Sequence, residues 1–335
     1  MANIIHRPAW HIADKLITPE SVFRNRRQFL KQMGFAGAGV LAASLAARAA
    51  DDGNTTLLDK PRPGQPVLID KTRPKRATYP AKRNPGFDPK WALTDQAVAG
   101  NYNNFYEFSL GKKNIAALAK NFVTAPWPLE ITGLVEKPMT IDAQELADTI
   151  GLEERVYRFR CVEAWAMIVP WTGFSLSKLI EKVAPKPEAK FVRFETFNRP
   201  EQAPGIALQP RYPWPYFEGL RLDEAMNPLT MVATGIYGKP LPKQHGAPIR
   251  IVVPWKYGYK SIKSIVKIEF VAHQPSTFWE RLQPEEYPFE SNVNPAMPHP
   301  RWSQATERMI DTDDRVRTQP YNGYGIQVAG LYKKA

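Results

Sequence analysis

One alternation of apolar and polar positions organises this sequence. From Glu154 to Val162, Tyr157, Phe159 and Cys161 fall on one face, and Val156, Arg158 and Arg160 on the other. That is the period-two signature of a strand, and it puts Cys161 at the strand's end, pointing to the apolar side. Leu129 to Val135, Lys190 to Phe197, Ile249 to Val253 and Ser264 to Ala272 are rich in β-branched and aromatic residues and predict further strands. Glu136-Lys137-Pro138 closes the first of them with a turn. Helical spacing is scarcer. Asp142 is placed to cap a helix over Ala143 to Thr149. Ser175 to Val183 predicts another, and residues 94–121 one or two more. Residues 273–335 hold many Pro, Asn and aromatics and little periodicity. The expectation is an α+β fold with mixed sheets and much irregular structure.

The N-terminus follows a different pattern. Asn25-Arg26-Arg27-Gln28-Phe29-Leu30-Lys31 is a twin-arginine box, and Gln32 to Ala47 form an uncharged Ala/Gly/Leu/Val run. A stable span takes about 20 apolar residues, so the run is too short to anchor the chain. Ala47-Arg48-Ala49 supplies small residues for cleavage. Residues 1–49 are therefore expected to be a twin-arginine signal peptide directing export to the periplasm, a route used by proteins that fold before crossing. Residues 50–90, with Pro61, Pro63, Pro66, Pro74, Pro80, Pro85 and Pro89, predict an extended arm. Residues 91–335 are the expected catalytic domain.

Composition narrows the chemistry. The leader holds seven Lys/Arg and two acids, so its removal takes the net charge from +12 to +7. That balance suits an anionic ligand or surface without implying nucleic acid. The remaining 286 residues suffice for a sizeable core and include one cysteine, Cys161, and three histidines, His245, His273 and His299. A lone cysteine cannot form an internal disulfide. It is a buried spectator, a reactive thiol or a soft metal ligand. No zinc spacing, no Gly-x-Gly-x-x-Gly, no Walker loop and no Cys-x-x-Cys is present. The densest mixture of Lys, Arg, Gly and aromatics runs from Lys239 through His245-Gly246-Ala247-Pro248-Ile249-Arg250 to Ser264. Glycine backbone N–H groups with Arg and Lys are the elements of a phosphate cradle.

Arg160-Cys161-Val162-Glu163-Ala164-Trp165, Asn103-Asn104-Phe105-Tyr106-Glu107-Phe108, His245 to Arg250 and Val253 to Gly258 together resemble the sulfite-oxidase-like molybdopterin-binding fold. Within it they are most similar to the periplasmic protein-methionine-sulfoxide reductases. The resemblance runs from about Tyr79 to the C-terminus. It implies a molybdenum ion held by one molybdopterin and by Cys161. It further implies cofactor contacts from Asn103, Tyr106, Glu107, Thr196, His245, Arg250, Ser261, Ile262 and Lys263. Tyr287 resembles an aromatic near the metal. Glu163, two residues beyond Cys161, would share its side on a continuing strand and is a candidate proton donor or tuner.

The implied reaction is oxygen removal from protein-bound methionine sulfoxide, with electrons from a haem-containing membrane subunit, MsrQ. An enzyme of the same fold acting on sulfite or small S- or N-oxides is the alternative, and an anion-binding protein without metal is the non-enzymatic one. Only 62 residues follow His273. An immunoglobulin-like sandwich takes roughly 100 residues, so no C-terminal dimerisation domain and a monomeric catalytic subunit are expected.

Overall fold

The computed structural model describes residues 77–332. The expected signal peptide and most of the arm lie outside the described residues. After a short N-terminal stretch come α1 (Gln96–Gly100), α2 (Ile115–Leu118), β1 (Pro128–Gly133), β2 (Met139–Asp142), α3 (Ala143–Ile150), β3 (Glu153–Arg160) and β4 (Trp165–Ser175). There follow α4 (Leu176–Val183), β5 (Phe191–Thr196), α5 (Pro204–Leu208), β6 (Phe217–Arg221), α6 (Leu222–Met226), β7 (Met231–Ile236), β8 (Lys239–Pro240) and β9 (Arg250–Val252). The chain continues through β10 (Ile265–Val271), α7 (Phe278–Leu282), β11 (Thr306–Met309), β12 (Arg315–Arg317) and α8 (Gly325–Val328).

The strands form two mixed sheets. The first has the order β2-β1-β10-β5-β6, parallel only between β1 and β10. The second has the order β12-β11-β4-β7-β8, with β3 also paired to β4 and β9 to β7. The α+β expectation holds. β4 is buried along its whole length. Covered on both faces, it reads as Trp-Ala-Met-Ile-Val-Pro-Trp-Thr-Gly-Phe-Ser, an apolar run without alternation. Asp142 caps α3 as expected, its Oδ1 accepting from Gln144 N at 2.9 Å and its Oδ2 from Trp127 N at 2.7 Å. α4 buries Leu176, Leu179, Ile180 and Val183, the i, i+3, i+4, i+7 face of an amphipathic helix.

The structure adds detail to two readings. Residues 273–332 contain regular structure: β11 runs parallel to β4, with Arg308 opposite Trp165, and pairs with β12. The inward residue of β11 is Glu307, so the strand shows no apolar alternation. Arg158 and Arg160 do face away from Cys161, but not to solvent. Both meet Glu307: Arg160 Nε lies 2.9 Å from its Oε2, both side chains fully buried, and Arg158 Nη2 bonds its Oε1. Of the arm expected at 50–90, residues 77–90 are described. Lys82 O accepts from Glu154 N, and Glu154 O from Asn84 N, laying the stretch along β3. No helix among the described residues is long and apolar enough to cross a membrane.

Candidate active site

β3 does not continue through Cys161. The chain turns there: Cys161 N donates to Trp165 O at 2.9 Å and Ala164 N to Cys161 O at 3.1 Å. Val162, Glu163 and Ala164 connect β3 to β4, and Ala164 takes the left-handed conformation, φ 63°, that a three-residue hairpin places at its last position. The turn is tied down from behind. Trp302 Nε1 and Gln304 Nε2 donate to Val162 O at 2.7 and 2.8 Å, and the Arg160 guanidinium donates to Cys161 O. The Cys161 sulfur is thereby presented, buried and fixed, to a cleft. The other walls are residues 102–107, between α1 and α2, and residues 258–263, between β9 and β10, with Tyr216, Trp279 and Tyr287.

Around the sulfur, Asn104 Nδ2 donates to Sγ at 3.3 Å and Glu163 N at 3.4 Å, with Glu163 Oε2 at 3.8 Å. Burial, helped by the Glu163 charge, pushes the Cys161 thiol up to about 12. The group stays a neutral thiol until a strong positive charge binds beside it. Burial also pushes the Glu163 carboxyl up, but the hydrogen bond and charge of Lys112, with Asn104 and Trp165 donating, more than offset this. Its pKa lies below the usual carboxylate value. Lys112 Nζ sits 2.8 Å from Glu163 Oε2, Asn104 Nδ2 3.2 Å and Trp165 Nε1 3.1 Å, and Tyr106 OH is 3.5 Å from Oε1. Glu163 reaches the sulfur through the turn, not through a shared strand face.

The far wall is cationic and unbalanced. Arg250 is buried, and its guanidinium bonds only carbonyls: His245 O and Ser261 O at 2.9 Å and Ile251 O at 3.3 Å. Burial pushes it down to about 9. Lys263 Nζ donates to Asn104 O at 2.7 Å, bridging the two loops, and burial with the Arg250 charge pushes it down to about 7. His245, buried beside both, is held neutral with its pKa near 3, by burial first and then by these two charges. Glu107 is buried in the same cleft and burial raises its carboxyl to about 7. Its charge acts on Lys263, but no carboxylate bonds Arg250 or Lys263 directly, and buried cations are costly unless an anion joins them.

The cleft gathers all the sequence-predicted site residues except Thr196: Asn103, Tyr106, Glu107, Cys161, Glu163, His245, Arg250, Ser261, Ile262, Lys263 and Tyr287 line it. Thr196 lies behind, its hydroxyl donating to Lys263 O at 2.7 Å and to Ser264 O at 2.9 Å. It holds the backbone of the cradle that carries Lys263. The Ser261 hydroxyl accepts from Val253 N at 3.0 Å.

Residues 116–279 match the oxidoreductase molybdopterin binding domain. The protein-methionine-sulfoxide reductase catalytic subunit MsrP of Xanthomonas axonopodis pv. citri is 46% identical, covering 97% of this chain and 96% of its own. The MsrP of Campylobacter jejuni subsp. jejuni is 47% identical over 95% of this chain and 97% of its own. The chain belongs to this family. Among solved structures, the sulfane dehydrogenase SoxCD of Paracoccus pantotrophus covers 63% of this chain and 60% of its own at 17% identity. Its TM-score of 0.39 is too low to bear on the fold.

The residues present fit the molybdenum-molybdopterin group of an MsrP-type site. Among the described residues no three His, Cys, Asp or Glu stand together as a metal set. A lone soft sulfur suits a metal that arrives with its own sulfur donors. Arg250 and Lys263, bonded only to backbone carbonyls, suit a phosphate, and Asn104 Oδ1, buried without a partner, is an acceptor left for a donor group of a ligand. Sequence reasoning missed three residues of this site as functional: Asn104, Lys112 and Trp279. Asn104 stood inside a quoted motif. Nothing about Lys112 or Trp279 marked them, because their place depends on the packing of segments far apart in the chain, a loop for Lys112 and the short α7 for Trp279.

Proposed function

We propose that the chain is a periplasmic reductase that removes the oxygen of protein-bound methionine sulfoxide, using electrons from a haem-bearing membrane subunit. One observation carries the reading: the Cys161 sulfur faces a cleft whose opposite wall holds two buried cations, Arg250 and Lys263, hydrogen-bonded to backbone carbonyls alone. Cys161 would hold molybdenum. Arg250, Lys263, His245 and the 261–262 backbone would hold the pterin and its phosphate, with Asn103, Tyr106 and Glu107 opposite. When bound, the group supplies a two-electron oxygen-atom exchange. The balance is R–S(O)–CH3 plus two electrons and two protons giving R–S–CH3 and water, and it restores an apolar side chain.

The chain's own residues prepare the mouth for this. Glu163 is ionised, so its part is to orient groups, not to donate a proton. It holds Lys112, whose burial is outweighed by the Glu163 hydrogen bond and charge, so that its proton stays on Nζ. Lys112 and the Tyr106 and Tyr287 hydroxyls are the proton-bearing groups there. The mouth stays open to a polypeptide, with the Lys112 and Glu163 side chains 27% and 26% exposed.

The test uses protein exported with its own leader. Elemental analysis is expected to find about one molybdenum per chain, and none in Cys161→Ser. The loaded enzyme, given a chemical reductant, is expected to reduce oxidised casein in preference to dimethyl sulfoxide and not to oxidise sulfite. A correctly matured preparation free of molybdenum, with Cys161 open to alkylation, overturns the reading. Turnover of sulfite but not of casein reassigns the reaction.

A further inference from the structure

Trp279 stands at the cleft mouth, on a helix built to hold it still. Thr277 and Glu280 form a capping box at the start of α7, with Thr277 N donating to Glu280 Oε2 at 3.1 Å. Phe278 is fully buried and stacks on Tyr216, centroids 4.7 Å apart, which anchors the helix. Trp279 then points the other way, partly exposed, into the cleft. Its ring centroid is 5.1 Å from Tyr106 and 5.2 Å from Tyr287, so the three form a continuous aromatic wall. The wall begins beside the chemistry: the Tyr106 hydroxyl is 3.5 Å from Glu163 Oε1, and the other Glu163 oxygen is 3.8 Å from the Cys161 sulfur. Trp165 and Trp302 give their indole N–H groups to Glu163 and to Val162 O. That of Trp279 finds no acceptor among the described residues, so no polar anchor explains its place.

A methionine-sulfoxide side chain is polar at its oxygen and apolar at its S-methyl and γ-methylene ends. The cleft offers both kinds of surface. Asn104, Lys112 and Glu163 supply polar groups beside the sulfur, and the three rings supply an apolar face that meets them at Tyr106. Sulfur and its adjacent carbons pack favourably on aromatic edges and faces. We infer that Trp279, with Tyr106 and Tyr287, is the subsite that grips the S-methyl end of the substrate side chain and keeps the thioether product bound until it leaves. Trp279 is thus a specificity residue, and the inference rests on the sulfoxide-reductase reading above.

The experiment compares wild type, Trp279→Ala and Trp279→Phe, each checked for molybdenum content, on a peptide carrying one methionine sulfoxide. Trp279→Ala is expected to raise KM about tenfold, the equivalent of one good sulfur–ring contact, with kcat within about twofold. The inhibition constant of the reduced peptide, which reads the same contact without any redox step, should rise in parallel. Trp279→Phe should stay within about threefold of wild type on both. If Trp279→Ala fails to fold, Trp279→Leu, apolar but ringless, reads the same loss. Unchanged KM and inhibition constant overturn the subsite, and so does a fall in kcat at constant KM. A wild-type enzyme inert on the peptide, though loaded with metal, overturns the functional reading itself.

Discussion

Lys263 shows what an unbalanced side chain is for. Its ammonium is buried, meets one carbonyl, and shares the cleft with the Arg250 charge, so burial and then repulsion act against it and outweigh the attraction of Glu107. Folding gains nothing from such a cation; a bound anion does. Lys263→Met keeps the stem and removes the charge. The cofactor-free variant is expected to match wild-type stability within about 1 kcal/mol or to exceed it, because replacing a buried charge by an apolar side chain is often neutral or stabilising. Its molybdenum content after export should fall several-fold. Thermal melting and elemental analysis check the two halves. A large loss of stability with full metal content would assign Lys263 to the scaffold instead. Glu163 teaches the converse: a carboxylate read as a candidate proton donor or tuner is ringed by Lys112, Asn104 and Trp165, and these donors hold its pKa down, which favours the second role.

The β3–β4 hairpin is the element that makes the sulfur available, and its rigidity comes from β11. The buried Glu307 carboxylate takes Arg160 on one oxygen and Arg158 on the other. Arg160 in turn holds Cys161 O and Gln304 Oε1. Glu307→Ala leaves a fully buried guanidinium without its counter-charge. The expected cost is about 3–5 kcal/mol, read by urea unfolding, with loss of metal retention as the turn loosens. A cost below 1 kcal/mol would show that the carbonyl and amide partners of Arg160 suffice. This element also marks how far the sequence could be read. β3 was legible from its alternation, and α3 and α4 from a cap and an apolar stripe. β4, β7 and β11 were not, because burial on both faces or an inward Glu removes the period-two signal. Cys161, Arg250 and the 261–263 run were found through motifs. Lys112, on a loop, and Trp279, on the short α7, reach the cleft through tertiary packing, which leaves no local pattern, and the Thr196 hydroxyl bonds the backbone of the 263–264 run.

At the scale of the molecule, the cleft lies where the chain crosses from one sheet to the other. β9 belongs to the second sheet and β10 to the first, and the 253–264 crossing between them carries Gly258 to Lys263. The cationic cradle therefore ties the two sheets together, and its protonation is coupled to the stability of the whole fold. His245, just before β9, is neutral in the folded chain with its pKa near 3, depressed by burial and by Arg250 and Lys263. In the unfolded chain it titrates near its ordinary value of about 6.5. Below that pH the unfolded state takes up a proton that the fold refuses, so stability falls as pH falls, by about 1.4 kcal/mol per pH unit until about pH 3. Cofactor-free protein should lose about 2 kcal/mol between pH 7 and 5 from this group alone. Carboxylates titrate in part of the same window, so the difference between wild type and His245→Asn isolates the imidazole: the variant's stability–pH curve should be flatter by that amount. A phosphate seated against Arg250 and Lys263 would cancel much of the charge that depresses His245. The same pair of proteins, compared with cofactor loaded, should then differ less. Curves for the cofactor-free pair that run parallel from pH 7 to 5 would mean that burial and the two cations together do not hold His245 neutral in the fold.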